Sequence, residues 1–386
     1  MTLQQLIDRP FRRFAKREAP SQVTSLSALA WRRLCHDPLS VCAMAVILLF
    51  ALIALLGYLI TPDHTPHCNQ QYLELTALKP GSSVKFACVY DGDSVAVKKG
   101  GSSLIKRMLR GEPLDYTAIP AYSTQWEGDT LVVEAYTGSV PNNGQVTRYH
   151  RDNVVSVQKR TFILGTDGYG RDVLSQILIG SRVSLSVGFI AIFIALVIGI
   201  TLGAWAAYHG GWVDSVIMWF INVVWSIPTV LLVIAITFAL GKGFWQVFVA
   251  VGLTMWVDIA RVVRGQVLGI KEKEYVEAAR ALGYRTPRII LRHILPNCLG
   301  AVIVIAASNF ASAILLEAGL SFLGIGVQPP ATSWGAMVKE NYGYILLDNA
   351  YLAILPGLAI MLLVLAFMLL GNGLRNALDV RANATE

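Results

Sequence analysis

Charged residues are scarce in this chain of 386 amino acids. Asp, Glu, Lys and Arg make up 15% of it, 54% of its residues are hydrophobic, and the mean hydropathy is +0.54. Soluble proteins average about 25% charged residues, so the composition excludes an ordinary soluble enzyme. It also excludes an intrinsically disordered chain, because such chains are rich in charge and poor in apolar residues. The composition therefore predicts a polytopic membrane protein.

Several long stretches hold no charged residue at all. Because about 20 apolar residues cross the hydrocarbon core as a helix, we predict an all-α polytopic membrane protein with six transmembrane helices. The predicted helices span 41–61, 181–208, 213–240, 243–263, 297–323 and 349–371. The first of them follows a long tail and lacks an A-x-A cleavage site, so it is not predicted to be a signal peptide.

Basic residues are nearly absent from the short loops on one side of the predicted helices. Those loops hold only Lys242 and Lys339, whereas seven basic residues lie in tail 1–40 and eight lie from Arg261 to Arg292, around the loop between helices 4 and 5. Two more, Arg375 and Arg381, lie just before and within the C-terminal tail 376–386. Lys and Arg favour the cytoplasmic side, so we predict that both termini are cytoplasmic. This bias explains the net charge of +7, and no nucleic-acid partner is predicted.

Segment 62–165, between helices 1 and 2, has the balanced charge of a soluble domain. Alternating apolar and polar residues in Ser83–Tyr90, Leu131–Tyr136 and Val154–Thr161 predict short β-strands. We therefore predict a small β-rich extracytoplasmic insert, followed by a permease core over 166–375.

The cysteines and histidines of the insert have two interpretations that exclude each other, a disulfide and a metal site. Cys68 and Cys88 both lie on the oxidising side of the membrane, and we predict a disulfide between them. His64, His67 and Cys68 could instead bind a transition metal. The favoured interpretation of these three is a Pro-rich linker, so no metal site is predicted.

The chain contains no motif of a nucleotide-hydrolysing enzyme or of a hydrolase. It has no G-x4-G-K-[ST], no H-E-x-x-H and no G-x-S-x-G. We therefore predict no catalytic residue, no cofactor bound by this chain, and an energy source in a partner protein.

The segment 264–296, between helices 4 and 5, has the most specific pattern. Strong helix formers over Glu274–Leu282 end at Gly283, and Pro287 suits the first turn of a second helix. The marked residues are Glu277, Ala278, Ala279, Gly283, Leu295 and Pro296. Their spacing resembles the EAA loop of ABC importer permeases, E-A-A-x3-G-x9-I-x-L-P, with His293 in the place of Ile.

Three further segments resemble the C-type subunit of the dipeptide/oligopeptide branch of these importers: Leu164–Ser175, Trp225–Leu232 and Glu317–Pro330. The resemblance implies the type I importer permease fold, a bacterial inner-membrane location and a function in ATP-driven peptide import. It also implies a homologous second permease, two cytoplasmic ATPases that use ATP and Mg²⁺, and an extracytoplasmic substrate-binding protein. The six marked residues would contact an ATPase.

Other functions remain open alternatives. Permeases of this branch are also associated with nickel, glutathione and antimicrobial peptides. A stand-alone secondary transporter or channel would need paired ionisable residues in its helices, which are nearly absent here. A membrane-anchored receptor would bind its ligand through the insert.

Single residues within the predicted helices suggest further roles. Pro228 predicts a kink in helix 3, serving either shape or a gating hinge. Asp258 is interpreted as an ion-pair partner of Arg261, with a peptide-amine or proton site in the pathway as the alternative. Glu317 could contact a peptide or the second permease. Arg171 and Asp172 are predicted to begin an amphipathic segment at the outer interface, and Trp334 to anchor a loop there.

Overall fold

The computed structural model describes residues 26–90, 104–138, 140–142, 144–241 and 243–378. Its helices, in chain order, are α1 (Leu26–His36), α2 (Pro38–Leu56), α3 (Leu104–Arg110), α4 (Val173–His209), α5 (Gly211–Ser226), α6 (Thr229–Leu240), α7 (Phe244–Ile270), α8 (Glu274–Ala281), α9 (Thr286–Ile289), α10 (Leu295–Phe322), α11 (Trp334–Asn341) and α12 (Tyr351–Leu378). Its strands are β1 (Ser82–Val89), β2 (Thr117–Glu127), β3 (Thr130–Ala135), β4 (Val146–His150) and β5 (Val154–Phe162).

Five elements of the described chain are long and apolar enough to cross a membrane: α2, α4, α7, the stretch from α9 through α10, and α12. A sixth crossing exists if α5 and α6 together count as one span. Helix 3 was predicted over 213–240 with a kink at Pro228; the structure has two helices there, bent by 94° at a short break. Ile227 is extended, as expected of the residue before a proline, and Pro228 then precedes the first turn of α6.

Helices α4 and α7 pack side by side and form the centre of the helical bundle. Gly199 and Gly203 lie so close to the α7 backbone at Trp256 and Ala260 that a side chain at either position would clash with it. Glycines thus allow two membrane helices to approach closely, as small residues commonly do where apolar lipid gives no hydrophobic drive. The buried core around this contact includes Val187, Ala191 and Ile259.

The relative direction of α4 and α7 bears on whether α5 and α6 together count as one crossing. Gly252 of α7 lies against Ala191 and Ile194 of α4, and Lys271, after α7, bonds to the carbonyl of Ala207 near the end of α4. The two helices are therefore parallel. The chain between them must return to the opposite side, so α5 and α6 together are the candidate for a sixth crossing.

Contacts among the other helices bring α1, α8 and the end of α12 to the same end of the bundle. Gly373 of α12 packs on Ser40 at the start of α2, and Gly300 early in α10 lies beside Leu378. Because only the short α9 and one helical turn separate α8 from α10, these contacts place the start of α2 and the end of α12 on the α8 side.

The insert is a five-stranded antiparallel sheet in the order β4-β3-β2-β1-β5. Its two faces bury different side chains, with Phe86 and Cys88 on one face and Ala87, Leu131 and Val133 on the other. The sheet shows that a β-structured insert is present, and β2 and β4 join the three strands that the sequence suggested.

Arg182 ties the insert to the membrane helices. Its guanidinium donates to the carbonyls of Ala54 at the end of α2 and of Met108 and Leu109 in α3, and it lies over the ring of Tyr58. The last carbonyls of a helix have no partner within the helix, so one arginine satisfies the ends of two helices at once.

Candidate functional site

Helix α8 ends in a Schellman motif at the glycine that the sequence marks. The amide of Gly283 donates to Arg280 O at 2.9 Å, and the amide of Tyr284 donates to Ala279 O at 3.2 Å. Gly283 has φ +76°, and nothing lies within 4 Å of where its Cβ would be. The glycine is therefore needed for its backbone conformation and not for space.

The two alanines of the marked pattern have different surroundings. Val276 and Ala279 are buried against the rest of the chain, whereas Glu277 and Ala278 are exposed. We predicted that both alanines would allow a partner to come close, but Ala279 packs inside this chain and only Ala278 faces outward. The exposed side continues to Leu282, whose side chain is 71% exposed.

The chain after α8 joins α10 through one widened turn. Helix α9 begins with Pro287 in its first turn, and Ile290–Ile294 then form a π-helical turn that ends with a bond from Leu295 N to Ile290 O. Pro296 has no amide hydrogen for the next α-helical bond, which explains the local change of helical pitch. α9 and α10 therefore form one nearly continuous rod that begins just after α8.

Two contacts attach the ends of α7 and α8 to neighbouring helices. Arg264 of α7 forms a bidentate ion pair with Asp214 of α5 at 2.6 Å. Arg280 of α8 lies over the ring of Tyr208 near the end of α4. Bidentate arginine–carboxylate pairs fix geometry as well as contribute energy, so this pair holds the end of α7 against α5.

A cavity of about 440 Å³ opens inside the membrane bundle at the break between α5 and α6. Ile227 and Thr229, on either side of Pro228, line it, as do Asp258 of α7 and Asn309 of α10. The structure thus brings together the predicted hinge candidate Pro228 and the predicted pathway candidate Asp258. The sequence reasoning missed Asn309, although an amide in an otherwise apolar helix is an available signal.

Asp258 is not paired as predicted. Arg261 donates to Asn222 Oδ1 at 2.9 Å and lies 3.9 Å from the centre of the Trp225 ring. Among the ion pairs of the described residues, none joins Asp258 and Arg261. The aromatic ring and the amide of α5 compete for the guanidinium, so the carboxylate remains exposed on the cavity wall.

Glu317 and Trp334 are both fully buried, contrary to the predicted contacts outside the chain. Glu317 accepts a hydrogen bond from Ser321 Oγ at 2.7 Å and does not line the membrane cavity. Trp334 donates its Nε1–H to Ile177 O at 2.8 Å and packs edge-on against Phe50. A contact with peptide or with a second permease is therefore not available to Glu317 in this structure.

Arg171 and Asp172 end the outer loop, which we define as Gly165–Asp172, and both are buried and not interfacial as predicted. Arg171 forms ion pairs with Asp167 at 2.6 Å and with Glu340. Asp172 caps α4 by accepting a bond from Ser175 N at 2.8 Å. The segment predicted as amphipathic is the first two turns of α4, and the ion pairs of Arg171 just before it join the outer loop to α11.

Cys68 and Cys88 are free and buried in different clusters, so the predicted disulfide is not formed. Cys68 packs with Tyr58 and Ile179 and its thiol contacts Asp63 O at 3.0 Å, whereas Cys88 points into the core of the sheet. Burial raises the pKa of the Cys68 thiol, which keeps it protonated. Among the described residues, no group of three or more His, Cys, Asp or Glu side chains is placed to hold a metal ion.

Family models match two parts of the chain. Residues 199–383 match the binding-protein-dependent transport system inner membrane component, and residues 25–80 match the N-terminal TM domain of oligopeptide transport permease C. The glutathione transport system permease protein GsiD of Pectobacterium atrosepticum is 43% identical over 216 residues, which cover 56% of this chain and 71% of the relative. This chain belongs to the family of binding-protein-dependent transport system inner membrane components.

Two further proteins are similar to this chain. The dipeptide transport system permease protein DppC of Bacillus subtilis is 43% identical over 215 residues, 56% of this chain and 67% of the relative. A chain of the MetNI methionine ABC transporter, in an inward-facing conformation, has a TM-score of 0.44 at 21% identity, covering 52% of this chain and 96% of that chain. As a member of the family, the chain is a multi-pass membrane permease and not a catalytic enzyme.

The family models leave a gap that contains most of the insert. Nothing between residues 81 and 198 is matched by either of them. Helix α8 and the membrane cavity fall inside the matched residues 199–383. Strands β1 to β5 fall outside both matched parts.

Proposed function

We propose that this chain is one of two homologous permease subunits in an ATP-driven peptide importer with the type I importer fold. The similar proteins include permeases named for dipeptide and for glutathione transport, and glutathione is itself a short peptide. Two ATPases would bind below the chain and a substrate-binding protein above it. The α8 end would be cytoplasmic, with both termini on that side of a bacterial inner membrane.

The exposed face of α8 carries this proposal. A short helix standing out from the bundle would be held loosely if it had only its own backbone bonds. Here Val276 and Ala279 anchor one side in the core, so the other side presents Glu277, Ala278 and Leu282 in a fixed arrangement. An exposed carboxylate beside small and apolar side chains suits insertion into a groove of an ATPase.

The connections of α8 suggest how ATP-driven movement would reach the pathway. A push on α8 acts on α7 and α10, which enclose the membrane cavity. The opposite wall is the break between α5 and α6, where only the two-residue link Ile227–Pro228 separates the helices. We assign Pro228 as the point where α5 and α6 change their angle, and Asp258 as a residue of the pathway wall.

The α8 proposal is tested by replacing Glu277 with Lys in the assembled transporter. We expect Glu277→Lys to reduce peptide uptake into proteoliposomes to background, while the ATPases still hydrolyse ATP and the permease stays folded. Surface substitutions usually change stability by less than about 0.5 kcal/mol, so loss of transport would not reflect unfolding.

The matched control is Glu272→Lys, which reverses the same charge at an exposed position just before α8. We expect it to leave uptake at the wild-type level. Normal ATP-dependent uptake by Glu277→Lys would contradict the proposed coupling, and equal losses in both variants would indicate an unspecific effect of charge. Uptake assays with dipeptides, glutathione, Ni²⁺ and an antimicrobial peptide would then distinguish the substrate alternatives.

A further inference from the structure

A second cavity, of about 330 Å³, lies on the outer side, where the insert meets the start of α4. Its walls come from three places in the sequence: the linker at Asp63, the sheet at Tyr116 and Arg160, and the α4 cap at Asp172. The size falls within the usual range for small-molecule sites. The insert is therefore needed to complete this cavity, which lies apart from the α8 segment and from the membrane cavity.

One end of the outer cavity carries negative charge that nothing in the described chain neutralises. Asp172 is 94% buried, since only 6% of its surface is exposed, and its Oδ1 has no hydrogen-bond partner. Asp63 also lines the cavity, and neither carboxylate belongs to an ion pair of the described residues. A buried, incompletely satisfied carboxylate is costly, so this end favours a cationic ligand.

The pKa of Asp172 also indicates that a cationic ligand would be favoured here. Burial raises the pKa of its carboxyl above the ordinary value, and the negative charge of Asp63 raises it further, although bonds from Ser175 oppose the rise. A bound ammonium group would oppose both increases, because a nearby opposite charge favours the ionised carboxylate.

The other charge of the cavity is positive. Arg160 donates to the hydroxyl of Tyr72 at 3.2 Å and lies 4.7 Å from the centre of the Phe86 ring. Among the ion pairs of the described residues, none includes Arg160, although it shares the cavity with two carboxylates. The opposite charges therefore stay apart, and a guanidinium fixed by aromatic neighbours is well suited to hold a carboxylate.

We propose that the outer cavity binds a zwitterionic dipeptide, with its ammonium group at Asp63 and Asp172 and its carboxylate at Arg160. Tyr72, Tyr116 and Phe162 supply apolar walls for the part between the two charges. This gives the insert a role in ligand binding. The site does not depend on the transport proposal, because it would bind its ligand in the permease alone.

Calorimetric titration of the purified full-length permease in detergent tests the proposal with three ligands: Ala-Ala, N-acetyl-Ala-Ala and Ala-Ala amide. Blocking either end removes one charge, and we expect each blocked peptide to bind about tenfold to a hundredfold more weakly, as for loss of a hydrogen bond to a charged group. Equal binding of all three, or no saturable binding of Ala-Ala, would overturn the proposal even if no variant folds.

Two variants assign the ends of the ligand. In Asp172→Asn, where Asn can still cap α4, we expect Ala-Ala and N-acetyl-Ala-Ala to bind equally while the amide stays weaker. For Arg160→Gln we expect Ala-Ala and Ala-Ala amide to bind equally, while N-acetyl-Ala-Ala stays weaker. Lys159→Gln and Asp115→Asn remove the same charges at exposed positions nearby and should keep the wild-type order. The wild-type order in all four variants would contradict the assigned contacts.

Discussion

The α8 segment and the outer loop are both marked by dense sequence patterns, yet they use their residues in opposite ways. The outer loop turns Asp167, Arg171 and Asp172 inward, where each is at most 6% exposed. The α8 segment anchors itself with Val276 and Ala279 and leaves Glu277 exposed. One segment holds the parts of this chain together, and the other is available to a partner. A segment with many marked residues is therefore constrained, and the burial of those residues shows whether the constraint comes from this chain or from a partner.

Two glycines with similar backbone angles give the strongest test of this comparison. Gly170 has φ +72° and Gly283 has φ +76°, but a Cβ at Gly170 would overlap the carbonyl oxygen of Tyr72, whereas the space beside Gly283 is empty. We expect Gly170→Ala to prevent recovery of folded protein. Gly283→Ala should cost only about 1–2 kcal/mol of backbone strain. Yield and thermal unfolding in detergent measure both, and equal behaviour would contradict the contrast.

The buried ion pairs of the outer loop give the next largest effect. Arg171→Ala leaves Asp167 buried without its charge partner, and removal of one member of a buried pair costs about 3–5 kcal/mol. We expect a lowered unfolding temperature, partly restored in the double variant Arg171→Met/Asp167→Leu, which removes the unpaired Asp167 carboxylate as well. A single variant as stable as the wild type would show that the network contributes little.

The two alanines of α8 allow a smaller test within one helix. Ala279→Leu inserts extra methylene groups into a packed core and is expected to cost about 1–3 kcal/mol. Ala278→Leu lies on the exposed face and should change stability by less than about 0.5 kcal/mol, although it would still obstruct a partner. Thermal unfolding of the isolated permease distinguishes them, and equal destabilisation would mean that the two faces of α8 are assigned wrongly.

The sequence was sufficient to predict those features that depend on interactions between neighbouring residues. The end of α8 at Gly283 follows from the conformational freedom of glycine, and the apolar stretches give the membrane helices. The 94° break at Pro228 was not predictable, because proline alone accounts for a kink and the larger angle depends on how α5 and α6 pack on α7.

Side-chain partners distant in the sequence were also not predictable. Asp258 was assigned to Arg261 by helical spacing, but that guanidinium binds Asn222 and Trp225 from another helix. Arg171 and Trp334 resemble interfacial residues in sequence, yet both are buried by contacts between segments far apart along the chain.

The central claim is that α8 binds a partner ATPase through its exposed face. Ala278→Cys and Ala279→Cys, each made after replacing the exposed Cys35 and Cys42 by Ser, can be labelled with a membrane-impermeant maleimide. In the permease alone, we expect rapid labelling at 278 and little at 279. In the assembled transporter, the thiol at position 278 should become protected. Labelling at 278 that is equally rapid with and without the ATPases would contradict the account.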